Sequence, residues 1–224
     1  MNRGWVFDLD DTLYLERDYV KSGLRAVDSW ARLTLGISGI FELAWDMFLA
    51  GIRGTTISRA FDTVGRQLTS DETSAAVNVY RNHNPNIHLC PDAYELLKQL
   101  SSCRDHVGIV TDGPAASQRA KLRALELDRR GYIVAITDDH GPAWHKPNTP
   151  AFEYVQSALG IEPERCIYIA DNPLKDFVAP RLLGWETVRI VRPLGLHSLI
   201  DSRPTEVDRT VESLAIIAQE QGFG

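Results

Sequence analysis

Cysteine is scarce: Cys90, Cys103 and Cys166 are odd in number and none sits in a C-x-x-C spacing. That excludes a disulfide framework and a cysteine-built zinc site, and leads us to expect a reducing, cytoplasmic setting. Long apolar runs are missing as well. No stretch approaches the roughly 20 residues needed to cross a bilayer, so no membrane residence is expected. The opening residues lack a basic segment followed by an apolar core and a small-residue cleavage site, so secretion is not expected either. Nor is there a surplus of positive charge. Lys and Arg number 24 against 30 Asp and Glu, a net charge of -6, which argues against a nucleic-acid scaffold as partner, since neutralising a duplex requires a basic face. A small anionic substrate needs only a local positive site, which a divalent cation supplies. Internal repeats and low-complexity tracts are absent, and no pattern specifies an oligomeric state.

What is present is the composition of a globular enzyme. With 44% hydrophobic and 24% charged residues, disorder is excluded. A chain of 224 residues has room for one sizeable core, or for a core with a smaller insertion. After the short apolar run Trp5–Phe7, helical spacing takes over: Val20, Leu24, Val27 and Ala31, then Phe41, Trp45, Phe48 and Leu49, then Ile57, Phe61, Val64 and Leu68. A fourth helix is expected to begin with Ser70 as N-cap and Asp71 and Glu72 in its first turn. The Trp and Phe stripe reads as packed helical core. From "HLCPDAYELLKQL" onward helices alternate with β-branched runs, "HVGIVTDG", "YIVAITDD", "CIYIADN" and "ETVRIVR". Pro91, Pro114 and Pro150 suit first helical turns, Gly160 a helix stop, and Pro180 a break inside "LKDFVAPRLLGW". The fold class expected is therefore α/β, a doubly wound parallel sheet with right-handed crossovers. Residues 1–14 and 86–224 would form the core and residues 15–85 a helical cap inserted into it.

In such a sheet ligands sit beyond the carboxyl ends of the strands. Asp8, Thr111 and Asp171 all fall there. Three carboxylates, Asp8, Asp10 and Asp11, at the end of a buried strand repel one another and lose hydration, so a positive partner is expected. Asp8, Asp10 and Thr12 form D-x-D-x-T; Thr111 ends the next core strand; Lys146 lies in "HKPNTPAF"; Asp171 and Asp176 lie in "IADNPLKD". In this order the four segments, spread over essentially the whole chain, resemble the haloacid dehalogenase superfamily. The inserted helices look like its C1 cap, and "FDLDDTLY" is similar to pyrimidine nucleotidase-like members. Ala170 stands where the family often has Gly, a small-for-small change.

The resemblance implies a Mg²⁺ ion held by Asp8, the backbone carbonyl of Asp10 and Asp171, and a phosphatase rather than a dehalogenase, because dehalogenases lack the second Asp. A carboxylate nucleophile, Asp8, splits phosphomonoester cleavage into two steps through an aspartyl-phosphate. Asp10 is then the acid for the leaving oxygen and the base for water. Thr111, with the backbone N–H of Asp112 or Gly113, would bind phosphoryl oxygens, and Lys146 would offset charge on nucleophile and phosphate. Asp176 would orient Lys146 or a metal-bound water. Asp11 reads as a turn or capping residue, His140 and His145 lack metal spacing, and Arg81 and His83, placed where they could reach a substrate anion, read rather as an exposed hinge. The substrate expected is a small phosphorylated metabolite, a nucleoside monophosphate or a sugar phosphate. The alternatives on the same fold are a phosphomutase and a non-catalytic regulatory protein.

Overall fold

The four central runs of the sheet are buried along nearly their whole length, as expected of strands covered on both faces. In the computed structural model, which describes residues 2–103, 105–201 and 207–222, the strands are β1 (Gly4–Phe7), β2 (His106–Thr111), β3 (Ile133–Ile136), β4 (Cys166–Ala170), β5 (Glu186–Ile190) and β6 (Arg209–Val211). All pair in parallel in the order β3-β2-β1-β4-β5-β6, the doubly wound arrangement the sequence implied. The order reverses around β1 and β4. Phe7 lies in register with Ile109 on β2 and with Ile169 on β4, so Asp8, Thr111 and Asp171 leave the sheet side by side.

Two compact units are resolved: residues 1–17 with 87–224, and residues 18–86. In the first, α5 (Pro91–Ser102), α6 (Ala115–Ala124), α7 (Pro150–Leu159), α8 (Val178–Leu182) and α9 (Leu214–Glu220) connect or follow the strands. Val6, Val110, Phe152, Val155, Tyr168 and Trp185 belong to one hydrophobic cluster of the sheet and its helices. Gly108 permits the close approach of α7, for a Cβ there would lie 2.5 Å from Val155 Cγ1. Asp92 ties α5 to the far end of the chain: it pairs with Arg192 at 2.7 Å and accepts from Ser213 Oγ and Leu214 N at 2.8 Å.

The second unit holds most of α1 (Glu16–Leu35), then α2 (Ile40–Leu49), α3 (Thr56–Thr63) and α4 (Ser70–Asn82). Val20, Leu24, Val27 and Ala31 form the buried stripe of α1. Asp28 accepts from the first amides of α2, Ile40 N at 2.8 Å and Phe41 N at 3.2 Å, a cap supplied from another helix where Gly39 has no side chain to offer.

Several local expectations are corrected. The N-cap of α4 is Thr69, one residue before Ser70, because Thr69 and Glu72 close a reciprocal capping box. Pro114 is the N-cap of α6 and so stands one place outside its first turn. The helix expected across Pro180 starts late, at Val178, so that the proline falls in its first turn, where no amide hydrogen is needed. β6 was not anticipated.

Candidate active site

After β1 the chain makes a tight turn in which Leu13 N bonds to Leu9 O at 3.1 Å, while Asp8 N still follows the sheet, donating to Ile169 O at 2.9 Å. Leu9 and Leu13 are fully buried and anchor the turn. Asp11 adopts the left-handed conformation, φ 50, which Asp tolerates better than most residues. Its two carboxylate oxygens accept from Glu16 N at 2.8 Å and Leu196 N at 2.7 Å. It is a turn-holding residue, and although it lies near Asp171 and His197, its oxygens are already engaged.

Asp8 is buried and bonded to Lys146 Nζ at 2.5 Å. The same ammonium reaches Asp176 Oδ1 at 2.8 Å and Tyr168 Oη at 2.9 Å. Asp8, Asp171 and Asp176 place one oxygen each within 4.8 Å of the others. Burial lifts the Asp8 carboxyl to about 7, against the pull of Lys146 and with help from Asp176 and Asp171. Burial also works against the Lys146 charge, but Asp176 and Asp8 outweigh it and hold that pKa well above its ordinary value. The lysine is a fixed cation between two carboxylates.

The three acids are not equivalent. Asp176 spends both oxygens, on Lys146 and on Asn172 N at 3.0 Å. Asp8 and Asp171 each retain an oxygen without a hydrogen bond among the described residues, since Asp8 uses Oδ1 for Lys146 and Asp171 uses Oδ2 for His197 Nδ1 at 2.8 Å. Hard carboxylate oxygens in this number fit Mg²⁺, which takes one or two carboxylates and completes its shell with water and phosphate oxygens.

The loop after β2 supplies the other half. Thr111 is fully buried, and its Oγ1 has no hydrogen-bond partner among the described residues. An unmade hydrogen bond of this kind is costly, and a strand-end hydroxyl that lacks one is suited to an external oxygen. The Asp112 side chain ties three segments together: it accepts from Thr137 Oγ1 at 2.7 Å, from Lys146 N at 3.3 Å and from Lys175 Nζ at 2.9 Å. Burial opposes the Asp112 charge, but Lys146 and Lys175 hold its pKa below the ordinary carboxylate value. Gly113 has φ 127, and a Cβ there would lie 2.6 Å from Gln118 Nε2; glycine is needed for both conformation and room.

Asp10 accepts two contacts from Lys121 Nζ, at 2.7 and 2.8 Å, one from Gln118 Nε2 at 3.2 Å, and one from the Tyr14 hydroxyl. Burial pushes its carboxyl up, yet Lys121, Tyr14 and Gln118 together bring it below its usual value.

Sequence reasoning did not find Lys121, Gln118, Tyr14, Tyr168 or His197. His197 lies beyond β5, and Arg189 fixes its loop by donating to the carbonyls of His197 and Ile200 at 3.0 and 2.6 Å. Only the basic residue in β5, buried though charged, hinted at this. His140 stacks on Trp144 at 3.8 Å, which accounts for it locally; His145 Nε2 lies 3.8 Å from Asp138 Oδ1, beyond hydrogen-bond reach, and is buried without a hydrogen-bond partner among the described residues.

The haloacid dehalogenase-like hydrolase family model matches residues 5–190, more than half of the chain, and the chain belongs to that family. It is 28% identical to the glyceraldehyde 3-phosphate phosphatase of Methanocaldococcus jannaschii, over 86% of each chain. It is 31% identical to the validoxylamine A 7'-phosphate phosphatase of Streptomyces hygroscopicus subsp. limoneus, over 79% of this chain and 80% of that one. The fold is similar to that of the HAD-hydrolase YfnB from Bacillus subtilis, with a TM-score of 0.71 and 19% identity over 98% of both chains. None of the described helices is long and apolar enough to cross a membrane.

Proposed function

We propose that this member of the family is a Mg²⁺-dependent phosphomonoester hydrolase of a small phosphorylated metabolite, with Asp8 as nucleophile. The reading rests on the Thr111 hydroxyl, buried and without a hydrogen-bond partner among the described residues, at the end of the strand next to the one that carries the Asp8–Lys146 pair. Asp8, Asp171 and the Asp10 carbonyl would hold the ion, which offsets charge as one anion approaches another. The chain's own groups do the rest. An Asp8 oxygen attacks phosphorus as the ester oxygen departs with a proton given up by Asp10, which is left as the carboxylate. Thr111 and the amides of Asp112 or Gly113 hold phosphoryl oxygens, and Lys146 keeps Asp8 oriented and compensates charge on the phosphoryl group. Water then attacks the aspartyl-phosphate and surrenders a proton to Asp10, and the electron pair of the broken P–O bond returns to Asp8.

The hydrogen bonds that Asp10 receives all come from donors, which suits the second of these steps. To act first as an acid it must take up a proton against Lys121. Asp176 orients Lys146. The helical insertion, residues 15–85 in our assignment, is proposed to choose the leaving group. Release of phosphate from a panel of nucleoside monophosphates, sugar phosphates and glyceraldehyde 3-phosphate tests the function, and variants in the insertion should reorder the panel. Isomer formation without phosphate release would mean a mutase, and no reaction with any member would refute the reading.

Thr111→Val should separate activity from stability. The methyl group fills the same volume and removes an unsatisfied hydroxyl, so the protein keeps its stability or gains up to about 1 kcal/mol. Loss of one preorganised donor lowers kcat/KM by about 10²-fold. Thermal melts beside steady-state kinetics read both signs.

The metal should compete with protons. With its folded pKa raised from 3.8 to about 7, Asp8 binds more protons folded than unfolded between those values. Its contribution therefore falls as pH rises through that window in EDTA, and is lowest above 7. A cation that displaces the proton removes this penalty, so the rise in melting temperature on adding Mg²⁺ should be larger at pH 8 than at pH 6. Equal rises at the two pH values would contradict the ligand set.

A further inference from the structure

Helix α6, "AASQRAKLRA", turns a polar face inward: Ser117, Gln118 and Lys121 are all buried. A lysine side chain only 5% exposed is rare unless an acid pairs with it, and here the acid is Asp10. Gln118, three residues earlier and so on the same face, is bifurcated. Its Nε2 donates to Asp10 Oδ2 at 3.2 Å and to the Asp112 carbonyl oxygen at 2.5 Å, and Gly113 supplies the space it occupies. The amide thus fastens Asp10 to the loop that carries the phosphoryl-binding groups. Tyr14 adds a third donor; burial and the charge of Asp10 hold its phenol protonated.

We propose that Lys121, seconded by Gln118, is the positioning residue that commits Asp10 to the hydrolytic half of the reaction, holding its carboxylate as a fixed acceptor for a proton of the attacking water. This rests on the reading of Asp8 as nucleophile and Asp10 as base. In the step concerned, the water oxygen bonds to phosphorus as one of its protons passes to an Asp10 oxygen. The bond between phosphorus and Asp8 breaks with its electron pair returning to Asp8, and phosphate departs. Lys121 touches no reacting atom. It prevents the carboxylate from rotating away, and Gln118 sets its distance from the 111–113 loop.

The experiment compares wild type, Lys121→Met, Lys121→Arg, Gln118→Leu and Asp10→Asn with p-nitrophenyl phosphate, whose leaving group departs without help from an acid. The readouts are kcat, KM, the nitrophenol burst and the fraction of enzyme phosphorylated after acid quench. Slowing only the second step lowers kcat and KM together and leaves kcat/KM in place. Lys121→Met should therefore lose about 10²-fold in kcat, show a burst approaching one equivalent and accumulate the phosphorylated form, with Lys121→Arg restoring most of the rate. Gln118→Leu should move in the same direction by less, and serves if Lys121→Met does not fold. If Asp10→Asn accumulates phosphoenzyme while the Lys121 and Gln118 variants lose kcat/KM without accumulating it, the positioning role is overturned and the base role stands. If no variant, Asp10→Asn included, is ever phosphorylated, the underlying reading falls and the inference with it.

Discussion

Asp8→Asn should release no measurable phosphate, a loss of at least about 10⁴-fold in kcat, because losing the nucleophile of a two-step reaction removes the whole covalent route. The substitution is nearly isosteric. Lys146 keeps its contacts with Asp176 and Tyr168 at 2.8 and 2.9 Å, so the variant should melt within a few degrees of wild type. It also removes a carboxylate that burial and its neighbours already drive toward protonation, so in EDTA its stability should depend less on pH than that of wild type between pH 4 and 7. Activity near that of wild type would end the covalent mechanism.

Lys146→Met should behave differently, costing both activity and fold. The Lys146 side chain is fully buried between Asp8 and Asp176. Its removal leaves two buried carboxylates without their shared cation, at a cost of roughly 3–5 kcal/mol, or about 6–20 °C in Tm for a chain of this size. Asp176→Asn in the same background should recover part of that stability, since one of the stranded charges is gone, and should recover none of the activity, since the ammonium that orients Asp8 and compensates the phosphoryl group is still missing. Differential scanning calorimetry of the single and double variants decides it. Unchanged stability in Lys146→Met would mean that the lysine is not the counter-charge its contacts describe.

The sheet was legible because its strands are contiguous apolar runs that end in turn residues, and because helices between them leave parallel pairing as the way to connect them. β6 escaped notice because three residues, one of them exposed, carry no period. The neighbouring positions of Asp8, Thr111 and Asp171 follow from strand ends alone. Their partners do not: Lys146, which meets Asp8 across 138 residues, was reached only through its motif in the family resemblance, and Lys121, which meets Asp10 across 111, leaves no local trace. The lettering of α6, rich in Lys, Arg, Gln and Ser, reads as a solvated helix, and its inward polar face exists only because Asp10 is there to receive it. His197 was hidden for the same reason. Its loop is placed by Arg189 through carbonyl contacts that any residue types at 197 and 200 would offer. The capping box at Thr69 was readable, since Glu72 names the residue three places before it.

In the proposed reaction the phosphoryl group passes through Asp8. Wild type and Asp8→Asn, mixed with saturating p-nitrophenyl phosphate and Mg²⁺ and quenched in acid within the first turnover, should be digested and weighed by mass spectrometry. One phosphoryl group is expected on the peptide carrying residues 4–16 of the wild type, reducible by borohydride to a homoserine at position 8, and none in the variant. Phosphate release with no phosphoryl group on that peptide, or with the group on another residue, would contradict it.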